Sequence, residues 1–175
     1  FFFLGVCPRR DVPTPSLVLG DGTEMTHLHG LIHSFDDRRA IVYPRGTQYW
    51  LEKGILHRDS GPAVITHDGE RHYYSHGKHN SRPGYLPAFE GINGEQIWMR
   101  DGIPHRDGDK PARIYPGRYQ EWLVDGKLHR DFDRPAVVRA NGDRMWYRHD
   151  RSWRADGKPV VEYADGTVAY TFREH

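Results

Sequence analysis

The chain has 175 residues, a formal charge of +1 with its histidines neutral, and 13% aromatic residues. That length supports one ordinary domain, and 19 glycines with 12 prolines make it turn-rich without the composition of collagen or a low-complexity chain. Balanced charge removes the field that draws proteins to nucleic acid or anionic lipid, and no run approaches the roughly 18 apolar residues of a membrane span.

Residues 1–20 open on Phe1-Phe2-Phe3-Leu4 and carry Pro8, Pro13 and Pro15, which reads as an N-terminal arm or cap. Phe1, Phe2 and Phe3 are candidate binding residues: they either dock into a neighbour or fold back over the first hairpin. Cys7 is the only cysteine, so an internal disulfide is excluded. That points to a reducing compartment or to a scaffold that needs no staples.

Residues 21–175 carry a repeat. One aromatic position recurs every 24 residues as Trp50, Tyr74, Trp98, Trp122, Trp146 and Tyr170. Turn glycines keep the same beat at Gly22, Gly46, Gly69, Gly94, Gly117, Gly142 and Gly166. A third series is Pro62-Ala63, Pro87-Ala88, Pro111-Ala112, Pro135-Ala136 and Pro159-Val160. Asp68-Gly69, Asn93-Gly94, Asn141-Gly142 and Asp165-Gly166 are hairpin-turn dipeptides, and Asp101-Gly102 and Asp125-Gly126 supply a second turn inside the unit. Each repeat therefore holds two strands, or three if Lys127-Leu128-His129-Arg130 also pairs. Runs between Gly and Pro are too short for stable helices. The expected fold is all-β: an elongated, twisted antiparallel sheet of six to seven 24-residue hairpin repeats.

The units are not identical. The first, His27 to Gly46, has Arg39-Ala40 where others have Pro-Ala. Counting in 24s, the third has Ser81-Arg82-Pro83 in place of His-Arg-Asp, and the sixth has Trp153-Arg154-Ala155. Irregular loops are where a regular scaffold acquires a specific contact, so His79, Tyr85 and Trp153 join the candidate binding residues. Arg144 and Arg148 join them from the most basic local stretch.

His57-Arg58-Asp59, His105-Arg106-Asp107 and His129-Arg130-Asp131 share a tripeptide with kinase catalytic loops, but the Asn such loops need falls at Val64, Ala112 and Ala136. An arginine forking across carbonyls and an aspartate accepting turn amides explain the tripeptide better. A metal ladder through His33, His57, His105 and His129 fails on distance, since two strands per repeat space equivalent residues about 10 Å apart. His27 and His29 share a strand face and form a weak metal pair. Arg144-Met145-Trp146-Tyr147-Arg148 has the mixture of single-strand stacking platforms, although balanced charge argues against nucleic acid. No Gly-x-Ser-x-Gly elbow or Walker glycine loop is present.

The set Trp98, Asp101-Gly102, His105-Arg106-Asp107, Pro111-Ala112, repeated from Trp122 through Ala136, resembles the variant MORN-type repeats of bacterial, phage and large DNA virus proteins. The resemblance covers roughly residues 21–170. It implies a β-hairpin ribbon used for scaffolding, assembly or contact with proteins or membranes, and it implies no catalysis. The expectation is a non-enzymatic structural protein without cofactor or metal, virion-associated or cytoplasmic, that binds a protein partner or its own copies through sheet edges and aromatic and arginine groups. An antitoxin or immunity-like binding module is the alternative; nucleic-acid or membrane-surface binding stands third.

Overall fold

The computed structural model describes residues 15–81 and 86–170. Their regular structure is all-β: short antiparallel strands with a single 3-10 turn at Ala155–Gly157. As the glycine and proline spacing requires, no run is long enough to nucleate an α-helix.

The fifth repeat shows how 24 residues make a unit. Tyr119–Glu121 pairs backward with Arg113–Tyr115 and forward with Val137–Arg139. Trp122 then leaves the ladder, and Leu123–Val124 and Lys127–Leu128 pair only with each other. The repeat therefore contains four strands, not the two or three expected. Two extend a 14-stranded sheet, and two form a side hairpin that is a separate two-stranded sheet. Six such hairpins line the long sheet. At about 4.8 Å per strand the sheet runs about 60 Å from Leu17–Val18 to Val168–Ala169. The first of these strands lies inside the segment read from sequence as an arm, and Leu17 pairs with Met25.

Two turn chemistries define the two margins. At the side-hairpin tips, both central residues are left-handed: Lys53 (φ 49°) with Gly54 (φ 82°), Asp101 (φ 52°) with Gly102 (φ 83°), and Asp125 (φ 48°) with Gly126 (φ 79°). This is the type I′ pattern whose twist matches paired strands. At the opposite margin only the glycine is left-handed, as at Gly142 (φ 101°), while Asn141 Oδ1 accepts the Asp143 amide at 3.1 Å. Asp21 does the same for Thr23, and Asp165 for Thr167. These are Asx-braced turns.

The side hairpins are tied together by backbone. Gly54, Gly77, Gly102 and Gly126 donate to the carbonyls of Ile32, Leu56, His79 and Pro104 in the preceding hairpin, at 2.7–2.8 Å. The core is one column at the junction of sheet and hairpins. Ala63, Ala88, Ala112 and Ala136 are fully buried there, and Trp50, Trp98, Trp122 and Trp146 are 5–8% exposed. Each of these four tryptophans donates its backbone N–H to the alanine or valine carbonyl of the next repeat step, for example Trp122 to Ala136 at 2.8 Å.

This bond pattern corrects the aromatic ladder at one rung. Tyr73, not Tyr74, donates to Ala88, and Tyr73 is the buried residue. Tyr74 begins the side hairpin. The steps around this rung are thus 23 and 25, and an even count of 24 misplaces it. Thr26 takes the rung in the first unit, donating to Ala40. Tyr170, the last member, is 58% exposed. Trp122 itself lies between strands Tyr119–Glu121 and Leu123–Val124, at the junction.

Candidate functional site

The residues with the richest chemistry recur at the sheet–hairpin junction. In the second repeat the Arg58 guanidinium lies 3.9 Å from the Trp50 ring centroid. Its Nε and Nη2 donate to the two carboxylate oxygens of Asp37 at 2.7 and 2.9 Å, and its Nη1 donates to the Pro62 carbonyl at 3.2 Å. The Trp50 indole N–H donates to the backbone carbonyl of the same Asp37 at 2.9 Å. One residue of the preceding repeat, held left-handed at φ 60°, thus receives both the indole and the guanidinium.

The clamp recurs with Trp122, Arg130 and Asp109, and with Trp146, Arg154 and Asp133. In both, the left-handed aspartate (φ 52°) sits 21 residues before its arginine. The arginine hydrogen bonds hold the carboxyls of Asp37, Asp109 and Asp133 below their ordinary range. A stacked, forked guanidinium in a largely buried position is a strong use of arginine that lysine cannot copy.

The departures are coordinated. Where the rung is Thr26 or Tyr73 instead of Trp, the arginine position is Ser34 or Ser81. There the serine Oγ accepts the backbone amide of the next repeat, Leu51 to Ser34 at 3.0 Å and Met99 to Ser81 at 2.8 Å. The third unit therefore places Asn80 and Ser81 at the His and Arg positions, one step earlier than the Ser81-Arg82-Pro83 expected. Thr26 and Trp50 both line a cleft of about 430 Å³. Arg106 stacks on Trp98 at 3.5 Å, but position 85, which aligns with Asp37 and Asp109, is a tyrosine. Among the described residues its Nε has no partner, and burial pulls its pKa down.

The histidines are structural too. His33, His57 and His105 accept through Nδ1 the backbone amides of Lys53, His76 and Asp125, the first turn residues of the following hairpins, at 3.0–3.3 Å. Asn80 substitutes its Oδ1 for the ring and takes Asp101. With Nδ1 accepting, Nε2 carries the proton, and it faces Asp59 at 3.4 Å or Asp107 at 3.0 Å in the same tripeptide. His57, His76 and Glu52 bring three donor atoms within 4.8 Å of one another. Binding a cation through His57 Nε2 would move that ring's proton to Nδ1 and break the His76 amide bond, so the cluster fits its hairpin-stapling role better than a metal centre. His27, half of the pair weighed as metal ligands, shares its Nδ1 with Ser16 at 2.6 Å.

His79, a sequence candidate for binding, stacks on Tyr74 (4.6 Å, 11°) and shares a hydrogen bond with the Ala88 carbonyl at 2.9 Å. Trp146 is buried, so Arg144-Met145-Trp146-Tyr147-Arg148 offers no continuous stacking platform. Arg144 lies 3.9 Å from Glu162, and Arg148 lies over Trp153 at 5.0 Å. Trp153 holds the histidine position of its unit and is half-exposed, and Arg154 keeps the clamp beside it. Phe1, Phe2, Phe3 and Tyr85 fall outside the described residues. Sequence reasoning missed Phe132, the most exposed large hydrophobic residue among those described. Its signal was an aromatic ring at a turn position filled elsewhere by Asp36, Gly108 or Asp156. No helix among the described residues is long and apolar enough to cross a membrane. No protein-family model matches the chain, and no curated protein is significantly similar to it.

Proposed function

We propose that this chain is a non-enzymatic scaffold or assembly component, of the variant MORN-like kind its repeats resemble, that engages protein partners or its own copies. The observation that carries this reading is the fate of the His-Arg-Asp tripeptides. Two of their three histidines, His57 and His105, staple successive hairpins, and two of their three arginines clamp the preceding repeat. Residues that could do acid, base or metal chemistry are consumed in holding repeats together, several times over, whereas a reaction centre needs one site.

An extended sheet also has the form of an interaction surface. Its first and last described strands, Leu17–Val18 and Val168–Ala169, are edges with exposed apolar side chains. The buried clamps fix the repeats at about 10 Å intervals, so exposed groups on successive units recur with that spacing. Such a surface matches a partner by register, and a virion shell is one setting that needs this.

Size-exclusion chromatography with light scattering, followed by mass spectrometry of natively purified material, tests the proposal. Self-association or a reproducible protein companion is expected. A monomer in tight one-to-one complex with a small toxin would move the assignment to the immunity-like class. Turnover of a substrate by the isolated chain would overturn it.

A further inference from the structure

Two exposed aromatic residues break the repeat, and each has an arginine beside its ring: Arg134 lies 5.6 Å from the Phe132 centroid and Arg148 lies 5.0 Å from that of Trp153. Phe132 occupies a left-handed position, φ 62°, that equivalent loops fill with Asp36, Gly108 and Asp156. That backbone disfavours a bulky side chain, and Phe132 is nevertheless 82% exposed. Trp153 stands where His57, His105 and His129 stand in other units. Its amide makes the same bond to its rung residue, Trp146, and its ring is 47% exposed; among the described residues no side hairpin follows it. Phe132 and Trp153 line one cleft of about 220 Å³.

The cleft has a cationic rim. Arg148 lines it and pairs directly across its hairpin with Arg151, a like-charge arrangement that disfavours the isolated hairpin. Among the described residues neither arginine has an ion-pair partner, and Arg148 rests over the Trp153 ring. Strained backbone, exposed aromatics and unpaired like charges thus coincide at one place, and an external anionic, apolar group relieves the last two.

We propose that this cleft docks an extended protein segment, setting one large apolar side chain against Phe132 and Trp153 and placing carboxylates against Arg148 and Arg151. The volume suits one side chain and is small for a cofactor. Asp131 and Asp133 line the same cleft, so a continuous run of phosphates would meet carboxylates as well as guanidinia. A short acidic segment with an apolar anchor avoids them. The proposal rests on the scaffold reading and names its partner chemistry.

The experiment uses the full chain, immobilised and challenged with a display library of random short peptides. Binding of the enriched peptides is then measured by fluorescence anisotropy against the unmodified chain and three variants. Phe132→Asp and Trp153→His restore residues the other repeats use, so each is expected to keep or raise the melting temperature; Arg148→Ser removes the cation. The expected result is enrichment of acidic peptides around one large apolar residue, with affinity falling about tenfold or more in each variant. Failure to enrich any peptide overturns the proposal. Peptides that bind all variants equally overturn it for this cleft while leaving the scaffold reading intact. A single-stranded oligothymidylate that binds with the same Trp153 dependence, in the absence of peptide binding, overturns it in favour of nucleic acid. The oligomeric state of the same variants tests the scaffold reading separately.

Discussion

Arg130 lies 3.8 Å above the centroid of Trp122, and both residues close on Asp109 of the preceding repeat. Stacking, a two-pronged ion pair and an indole hydrogen bond thereby converge on one left-handed aspartate. Desolvated cation–π contacts contribute up to about 2 kcal/mol, and the partly shielded ion pair adds less than a fully buried one would.

The pairing of Trp with Arg, and of its replacement with Ser, predicts strong coupling. Trp122→Tyr and Arg130→Ser together copy what Tyr73 and Ser81 already do. In a double-mutant cycle by urea denaturation, the pair is expected to cost at least about 1 kcal/mol less than the sum of the single changes. Additive losses would show that the ring and the guanidinium act independently.

Asp109 carries two separable duties, one through its carboxylate and one through its carbonyl. Asp109→Asn keeps the backbone carbonyl for Trp122 and tolerates φ 52°. It is expected to cost about 1 kcal/mol, because the ion pair is one-third exposed. Asp109→Val adds left-handed strain of about 1–2 kcal/mol to that loss. Equal thermal stability of the two variants would contradict this division.

Acid should destabilise the chain in two stages. Burial lowers the pKa of His72 and of His79, and for His79 the neighbouring His72 charge adds to the effect. Folded values below the unfolded value of about 6.5 mean that protonation favours unfolding. Stability is therefore full above that pH, declines as pH falls below it, and levels off under the folded values. The carboxyls of Asp37, Asp109 and Asp133 are depressed in the fold. Their contribution is present above about pH 3.9 and disappears as pH drops through the folded values. Melting temperature against pH should show both declines, with the upper one reduced in His79→Gln; a flat profile between about pH 7 and 5 would contradict the first.

Two hairpin glycines separate strain from crowding. Gly102 and Gly126 share φ near 80°, but a Cβ on Gly126 would stand 3.1 Å from Ile103 Cγ2 while one on Gly102 meets nothing within 4 Å. Gly102→Ala is expected to lose about 1–2 kcal/mol from backbone strain alone. Gly126→Ala should lose more, since the side-hairpin turn then pushes against the preceding one. Calorimetric melting of the two variants gives the comparison, and equal losses would mean that Ile103 moves aside freely.

The amino-acid sequence by itself determined the period and the chirality of the turns, because both are local. Gly126 needs only its own φ, and Asp125-Gly126 or Asn141-Gly142 announces a hairpin within two residues. The all-β class follows from the same punctuation, which leaves no run long enough to nucleate a helix. What only the tertiary structure decided is which residues meet across repeats. Counting in even steps chose Tyr74 over Tyr73, since a shift of one residue is invisible until the rung donates to Ala88. The partnership of Arg130 with Asp109 spans 21 residues and depends on a backbone bend that lets one aspartate offer carbonyl and carboxylate to the same neighbour. The interruption of each long strand at its tryptophan has the same origin. Each buried tryptophan gives its amide to a buried alanine or valine one step on, and that gain is realised only when the next repeat is in place.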